Sequence, residues 1–77
     1  DFSAEMFERL KALRTEIAKN ESLPAYCIFH DRTLKDMARK RPKTREELLE
    51  IVGVGEVTYR KYGEAFLKVL RDDEDAS

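Results

Sequence analysis

Thr44-Arg45-Glu46-Glu47-Leu48-Leu49-Glu50-Ile51-Val52-Gly53-Val54-Gly55 contains a helix start, a helix body and a tight turn in one unbroken run. Thr44 and Glu47 match a capping box, in which the hydroxyl and the carboxylate each accept a backbone N–H that a helix start leaves without a partner. A helix is therefore predicted from Arg45 to about Ile51. Gly53-Val54-Gly55 can reverse the chain abruptly, because glycine reaches backbone angles closed to other residues. A last helix is predicted from about Glu56 to Leu70, with Val57, Tyr62, Ala65, Phe66, Val69 and Leu70 on its apolar face. Gly63 falls inside it and costs about 1 kcal/mol relative to Ala in a helix. The expected reason for a glycine there is the close approach of another backbone.

Working back from Thr44, Pro42 ends whatever helix precedes it. Asp31 is a good N-cap for a helix from Arg32 to about Lys40, with Leu34, Met37 and Ala38 inward. Leu23-Pro24-Ala25-Tyr26-Cys27-Ile28-Phe29 is too short and too apolar for an ordinary surface helix. It is expected to form a short helical turn or an irregular segment, largely packed against the core, with Pro24 in its first turn. Ser3 to Lys19 reads as the first helix, capped by Ser3, with Met6, Leu10, Leu13 and Ile17 on one face and Arg9, Lys11, Arg14 and Glu16 mostly elsewhere. No strand pattern, internal repeat or low-complexity stretch interrupts this series. The expected fold class is all-α: a compact bundle of five helices over residues 1–71, followed by an acidic, frayed tail at 72–77.

Composition sets the outer limits. A chain of 77 residues is one domain, and a domain this small buries only about 60% of its unfolded surface. Apolar residues make up 42% of it and charged residues 40%, a folded and highly charged balance. Its first residue is Asp1, not Met, which suggests a domain taken from a longer protein. The lone cysteine, Cys27, cannot form an internal disulfide, which fits a reducing, intracellular setting. No apolar run is long enough for a membrane span or a signal peptide. The net charge of −1 and the pI of about 5.9 argue against a whole-surface affinity for nucleic acid, yet they leave room for a local basic patch.

Three segments carry a family resemblance. The first is Phe7-Glu8-Arg9-Leu10-Lys11-Ala12-Leu13-Arg14 with Ile17-Ala18. The second is Leu23-Pro24-Ala25-Tyr26-Cys27-Ile28-Phe29-His30-Asp31-Arg32-Thr33-Leu34-Lys35-Asp36-Met37-Ala38. The third is Pro42 and Thr44, Glu47 to Gly55, and Tyr62-Gly63-Glu64-Ala65-Phe66-Leu67. In this order, and nearly end to end, they resemble the HRDC (helicase and RNase D C-terminal) domain of RecQ-type DNA helicases. Ala25 stands where the family usually has a second proline, and Cys27 where a β-branched residue is commoner. The resemblance implies a five-helix globule that serves as an accessory module in DNA repair and recombination. It also implies a parent helicase, less readily an RNase D-type nuclease, whose catalysis lies in other domains and whose core would hold ATP and magnesium. This domain itself is expected to need no cofactor and to be monomeric in isolation. Its setting would be the cytoplasm and nucleoid of a bacterium, or a eukaryotic nucleus.

Arg32, Lys35, Arg39, Lys40, Arg41, Lys43 and Arg45 stand against one acid, Asp36, in the stretch 32–45. Arg32, Lys35 and Arg39 share a helix face, and such a row can follow a phosphate backbone; it can equally be a solvated helix face with a charged connector. Tyr26 aligns with a tyrosine implicated in single-strand binding in some bacterial HRDC domains. An exposed or half-exposed Tyr26 could stack a base, whereas a core Tyr26 would only pack, as Ile28 and Phe29 beside it suggest. Tyr59 could be a second exposed ring, and Tyr62 is expected in the core.

Gly53 and Gly55 look like a helix-hairpin-helix turn, whose free N–H groups can hold a phosphate. A plain interhelical turn explains them as well, and Glu50 and Glu56 flank it. Glu46, Glu47 and Glu50 form an acidic surface suited to docking on a basic partner, although acids at a helix start also simply answer its dipole. His30 and Cys27 are too few for a zinc site, and Cys27 is expected to pack. No catalytic triad, phosphate-binding loop or dinucleotide fingerprint is present.

Two functions from different classes follow. One is a DNA contact through Tyr26, Arg32, Lys35, Arg39, Lys40, Arg41 and Lys43, weak and salt-sensitive, to single-stranded or junction DNA. The other is a protein-interaction module whose acidic surface docks on the helicase core of the same chain or on a partner protein.

Overall fold

The computed structural model describes residues 3–75. Helix α1 (Ala4–Glu21) begins at Ser3, whose Oγ accepts from the Met6 N–H. It ends at Ser22, held in the left-handed region at φ 58°, from which Leu23 N–H reaches back to the Ala18 carbonyl at 2.9 Å. That six-to-one bond, with Ser22 N–H also turned onto the last turn, satisfies carbonyls a helix end leaves open. A single 3-10 turn (Ala25–Cys27) follows. Helix α2 (Asp31–Lys40) ends at Arg41, again left-handed at φ 50°, and Pro42 just beyond prevents its continuation.

Helix α3 (Arg45–Leu49) begins where the capping box places it. Thr44 Oγ1 accepts from the Glu47 N–H, while the Glu47 carboxylate takes the N–H of Lys43. It stops short of Ile51. The chain then runs as one helix over 56–75, in three parts: α4 (Glu56–Thr58), a π-turn (Tyr59–Gly63) and α5 (Glu64–Asp75). Helix therefore continues into the acidic block at 72–75, and residues 76 and 77 of the expected tail lie outside the described residues. The fold class is all-α, as the sequence indicates: four helical rods and one 3-10 turn, with no strand among the described residues.

All four rods contribute to one core. Leu10 from α1, Leu34 and Met37 from α2, Leu48 from α3 and Phe66, Leu67 and Leu70 from α5 are fully buried. Phe29 meets Phe66 edge to face, with ring centroids 5.0 Å apart. That geometry suits the ring quadrupole. Of the segment 23–29, however, only Ile28 and Phe29 are buried. Leu23, Tyr26 and Cys27 face solvent, so this stretch packs through one end only, and Cys27 is no core filler.

The π-turn corrects the sequence reading of the last helix. A π-turn holds an extra residue, so the face before it and the face after it fall out of step. Val57 and Ala65 are exposed, Tyr62 is half-buried, and Tyr59 is buried in the core. Gly63 is not there for a neighbouring backbone. A Cβ at Gly63 would strike the ring of Tyr59, which lies across the space the glycine leaves. The Tyr59 hydroxyl donates to Glu64 at 2.9 Å, and the Arg45 guanidinium sits 5.6 Å from the ring centre. Burial, reinforced by the bond to Glu64, holds the phenol above its ordinary pKa. Gly53, at φ 90°, is confined too: a Cβ there would meet the Thr33 hydroxyl, so the 53–55 turn is seated against α2.

Gly63→Ala is expected to destabilise the chain by about 1–3 kcal/mol through overpacking on Tyr59. In a Tyr59→Ala background the same change should instead stabilise it by up to about 1 kcal/mol, the ordinary helical preference for alanine. Urea unfolding of the four chains tests the sign reversal. The same sign in both backgrounds would remove the ring as the reason for the glycine.

Candidate nucleic-acid interface

The site is organised by a side chain that periodicity places on the wrong face. Arg14 is buried, not on the polar face of α1, because the face packed inward follows Phe7, Leu10, Arg14 and Ala18. Its Nη1 donates to the Phe29 carbonyl at 2.9 Å and its Nη2 lies 2.7 Å from the Asp31 carboxylate. Its Nε is buried without an acceptor. The guanidinium thus spans the step from the 3-10 turn into α2. The hydrogen bond from Arg14 lowers the Asp31 pKa, and the charges of Arg14, Lys11 and Lys35 add to this. Asp31 is the first residue of α2 and not its cap; His30 holds the cap position and makes no side-chain cap bond.

This arrangement leaves Tyr26 well exposed, at 62% of its full surface. The His30 ring lies beside it, with centroids 6.2 Å apart and planes within 23° of parallel. Along α2, Arg32 and Lys35 are exposed. Lys35 Nζ stands 5.7 Å from the centre of the Phe7 ring, and Lys11 Nζ, from α1, stands 5.0 Å from the same ring. Ammonium groups from two different helices therefore meet at one aromatic ring, whose quadrupole attracts each of them. Lys11 is also 3.7 Å from Glu8.

The other basic residues of the run have structural partners. Arg39 and Lys40 both pair with Asp36, a carboxylate only 6% exposed. Arg41 is half-buried in its left-handed cap. Lys43 reaches across to the last helix, where its Nζ donates to the Leu70 carbonyl at 2.9 Å and its own carbonyl accepts from Arg71 Nε at 2.8 Å. Lys40, Arg41 and Lys43 also line a surface groove with Glu47 and Glu50. The basic stretch thus divides into Arg32 and Lys35, in the first half of the helix that the Tyr26 turn leads into, and a Lys40–Lys43 end that shares a groove with acids.

Glu46, Glu47 and Glu50 are all exposed. At the 53–55 turn, Gly55 opens α4 with free space around its Cα, but Glu56 is bound 3.0 Å from Arg45. Among the described residues no three His, Cys, Asp or Glu side chains gather as a metal site, and no helix is long and apolar enough to cross a membrane.

The sequence profile of the HRDC domain family matches residues 3–70. This chain is an HRDC domain. It is 46% identical over 67 residues to the ATP-dependent DNA helicase RecQ of Bacillus subtilis, covering 87% of this chain and 11% of that protein. It is 39% identical to the ATP-dependent DNA helicase Q-like 4B of Arabidopsis thaliana, covering 91% of this chain and 6% of that protein. A third relative, the ATP-dependent DNA helicase UvrD2 of Mycobacterium tuberculosis, is 34% identical over 92% of the chain and 10% of its own length. Among solved structures, HRDC domain 3 of D. radiodurans RecQ superposes with a TM-score of 0.88 at 35% identity, covering 94% of this chain and 95% of that one. The chain thus spans about a tenth or less of the whole helicases it resembles.

Three residues at this face of the HRDC domain escape a reading by pattern. Arg14 looks like one more charge on an amphipathic helix. Lys11 lies far from Lys35 in sequence, and only the packing of α1 on α2 brings them together. His30 does carry a signal, since it follows Tyr26 by four residues, but a break between two elements hides it.

The Arg14 clamp has a pH signature. A carboxylate whose pKa falls on folding adds stability above its unfolded pKa and loses it as pH drops through the folded value. Asp31→Asn is expected to be less stable than the parent chain at pH 7, and the gap should close below about pH 4. Arg14→Ala, which strips the buried Phe29 carbonyl of its donor, should cost about 1–3 kcal/mol. Urea midpoints between pH 7 and pH 3 check both, and a gap for Asp31→Asn as wide at pH 3 as at pH 7 would detach the effect from the Asp31 charge.

Proposed function

We propose that this HRDC domain is a non-catalytic accessory module of a RecQ-like ATP-dependent DNA helicase. It adjusts DNA binding and the choice of DNA structure through weak contacts to single-stranded or junction DNA. The observation that carries this reading is the exposure of Tyr26 in the turn that leads into α2, whose first half presents Arg32 and Lys35. An aromatic face beside cations is the composition of a single-strand contact, in which bases stack and phosphates are held without sequence readout. The higher identity to the Bacillus RecQ protein than to the mycobacterial UvrD2 protein favours a RecQ-like parent over the other helicase class. ATP and magnesium belong to the core of such a parent, which would work in the bacterial cytoplasm or in a nucleus.

Within the basic stretch, Arg32 and Lys35 are the stronger contacts. Arg39 and Lys40 answer Asp36, while Arg41 and Lys43 contribute from the connector. Gly53 and Gly55 are a lesser site, because Glu56 stands at the mouth of that turn. A second reading draws on the opposite charge. Glu46, Glu47 and Glu50 are exposed together, with Val52 and Val57 also in solvent, and such a surface suits docking on the basic face of the helicase core or of a partner protein.

Fluorescence anisotropy with a labelled single-stranded oligonucleotide separates the two readings. The DNA reading expects binding at about 50 mM salt that falls steeply by about 200 mM. Tyr26→Ala should weaken it by a factor of about five or more, and Lys35→Ala with Arg39→Ala should weaken it and flatten the salt dependence. Absence of binding at the lower salt would overturn the DNA reading, and reversal of Glu46, Glu47 and Glu50 would then test docking on a helicase core.

A further inference from the structure

Tyr26 is not alone on its surface. His30 follows it by four residues, across the corner between the 3-10 turn and α2, and the two exposed rings lie nearly parallel with centroids 6.2 Å apart. That spacing is within the range of interacting aromatic pairs. His30 occupies the N-cap of α2, a position where Ser, Thr, Asp or Asn would bond a free backbone N–H, yet it makes no such bond. Its ring is set against Tyr26 and not against the helix start. The backbone carrying it is held rigidly, because the Phe29 carbonyl before it and the Asp31 carboxylate after it are both taken by buried Arg14. Lys11 and Lys35 both act on the charge of Asp31, the residue that follows His30.

We infer that His30 is the second stacking residue of the single-strand contact, so that Tyr26 and His30 form one two-ring platform for the bases of DNA. This rests on the DNA reading above and adds a residue to it. An imidazole offers a π-face to any base, so the platform holds a strand without reading its sequence. Phosphates beside the stacked bases fall toward Arg32 and Lys35. Because Arg14 clamps both neighbours of His30, the platform is formed before the strand arrives, and little ordering is needed on binding.

The test uses this 77-residue chain with a thymidine oligonucleotide and an abasic oligonucleotide of equal length. The variants are His30→Ala, His30→Phe, Tyr26→Ala and the double alanine variant. His30→Ala is expected to weaken binding to the thymidine strand by about three- to ten-fold, within the range of one lost stacking partner. It should leave binding to the abasic strand and the salt dependence unchanged. His30→Phe should bind the thymidine strand at least as tightly as the parent chain. Because the two rings act as one unit, the double variant should lose less than the product of the single losses.

His30→Ala binding equal to the parent chain, while Tyr26→Ala loses affinity, would overturn the role of His30 and leave the DNA reading standing. Equal losses on thymidine and abasic strands would overturn stacking by His30 in favour of a contact to the backbone. No binding of the parent chain to either strand at low salt would overturn both readings together. His30 is exposed and caps nothing with its side chain, so thermal unfolding of the alanine variant should match the parent and exclude misfolding as the cause.

Discussion

The bond from the Arg14 guanidinium to the Phe29 carbonyl holds the corner on which the rest of this surface depends. A short 3-10 turn between two helices has little stability of its own, and here only its trailing residues, Ile28 and Phe29, enter the core. The core alone would hold those two side chains and leave the entry into α2 free to pivot. Arg14 removes that freedom by gripping a backbone acceptor on one side of His30 and a carboxylate on the other. A buried charge is tolerated only when its donors are used, and the orphaned Nε marks the cost that remains. What the clamp secures is position: the exposed rings point outward from a fixed backbone.

The electrostatics of the domain follow from how its charges are paired, more than from how many there are. With a net charge of −1 the molecule has no long-range pull on DNA. Local sign still matters, because interactions between exposed charges more than about 8–10 Å apart are largely screened at physiological salt. The α1–α2 face brings Lys11 and Lys35 together over Phe7, whereas the 40–43 connector meets Glu47 and Glu50 in one groove. Each face therefore offers a few contacts, and none dominates.

Much of the fold was legible in the residues. The capping box at Thr44, the stop at Pro42 and the inward set Leu34, Met37 and Ala38 are local signals, and each acts where local energetics place it. The sequence failed where tertiary packing overrides period. Arg14 entered the core because a carbonyl and a carboxylate awaited it there. Tyr59 entered the core and Tyr62 stayed half-buried at its edge because a π-turn shifts the phase of the last helix. Cys27, expected to pack because nothing beside it in sequence would activate a thiol, is exposed, since only one end of that segment faces inward. For the candidate site, Tyr26 and the basic run were visible as residue types. The pairing of Arg39 and Lys40 with Asp36 is local to one helix, but the tie of Lys43 to Leu70 was not legible, because those residues meet only in the folded chain.

The reciprocal hold between Lys43 and the Leu70–Arg71 end of the last helix reaches beyond the connector it fastens. Helix α3 has five residues, far fewer than a helix needs to persist in water by itself. It lasts because Leu48 is buried, because Thr44 caps it, and because the connector leading into it is tied across the molecule. Helix α3 thus depends on contacts made far away along the chain, whereas the 18-residue α1 carries its own run of backbone bonds, and loosening the Lys43 tie is a route by which α3 alone could open.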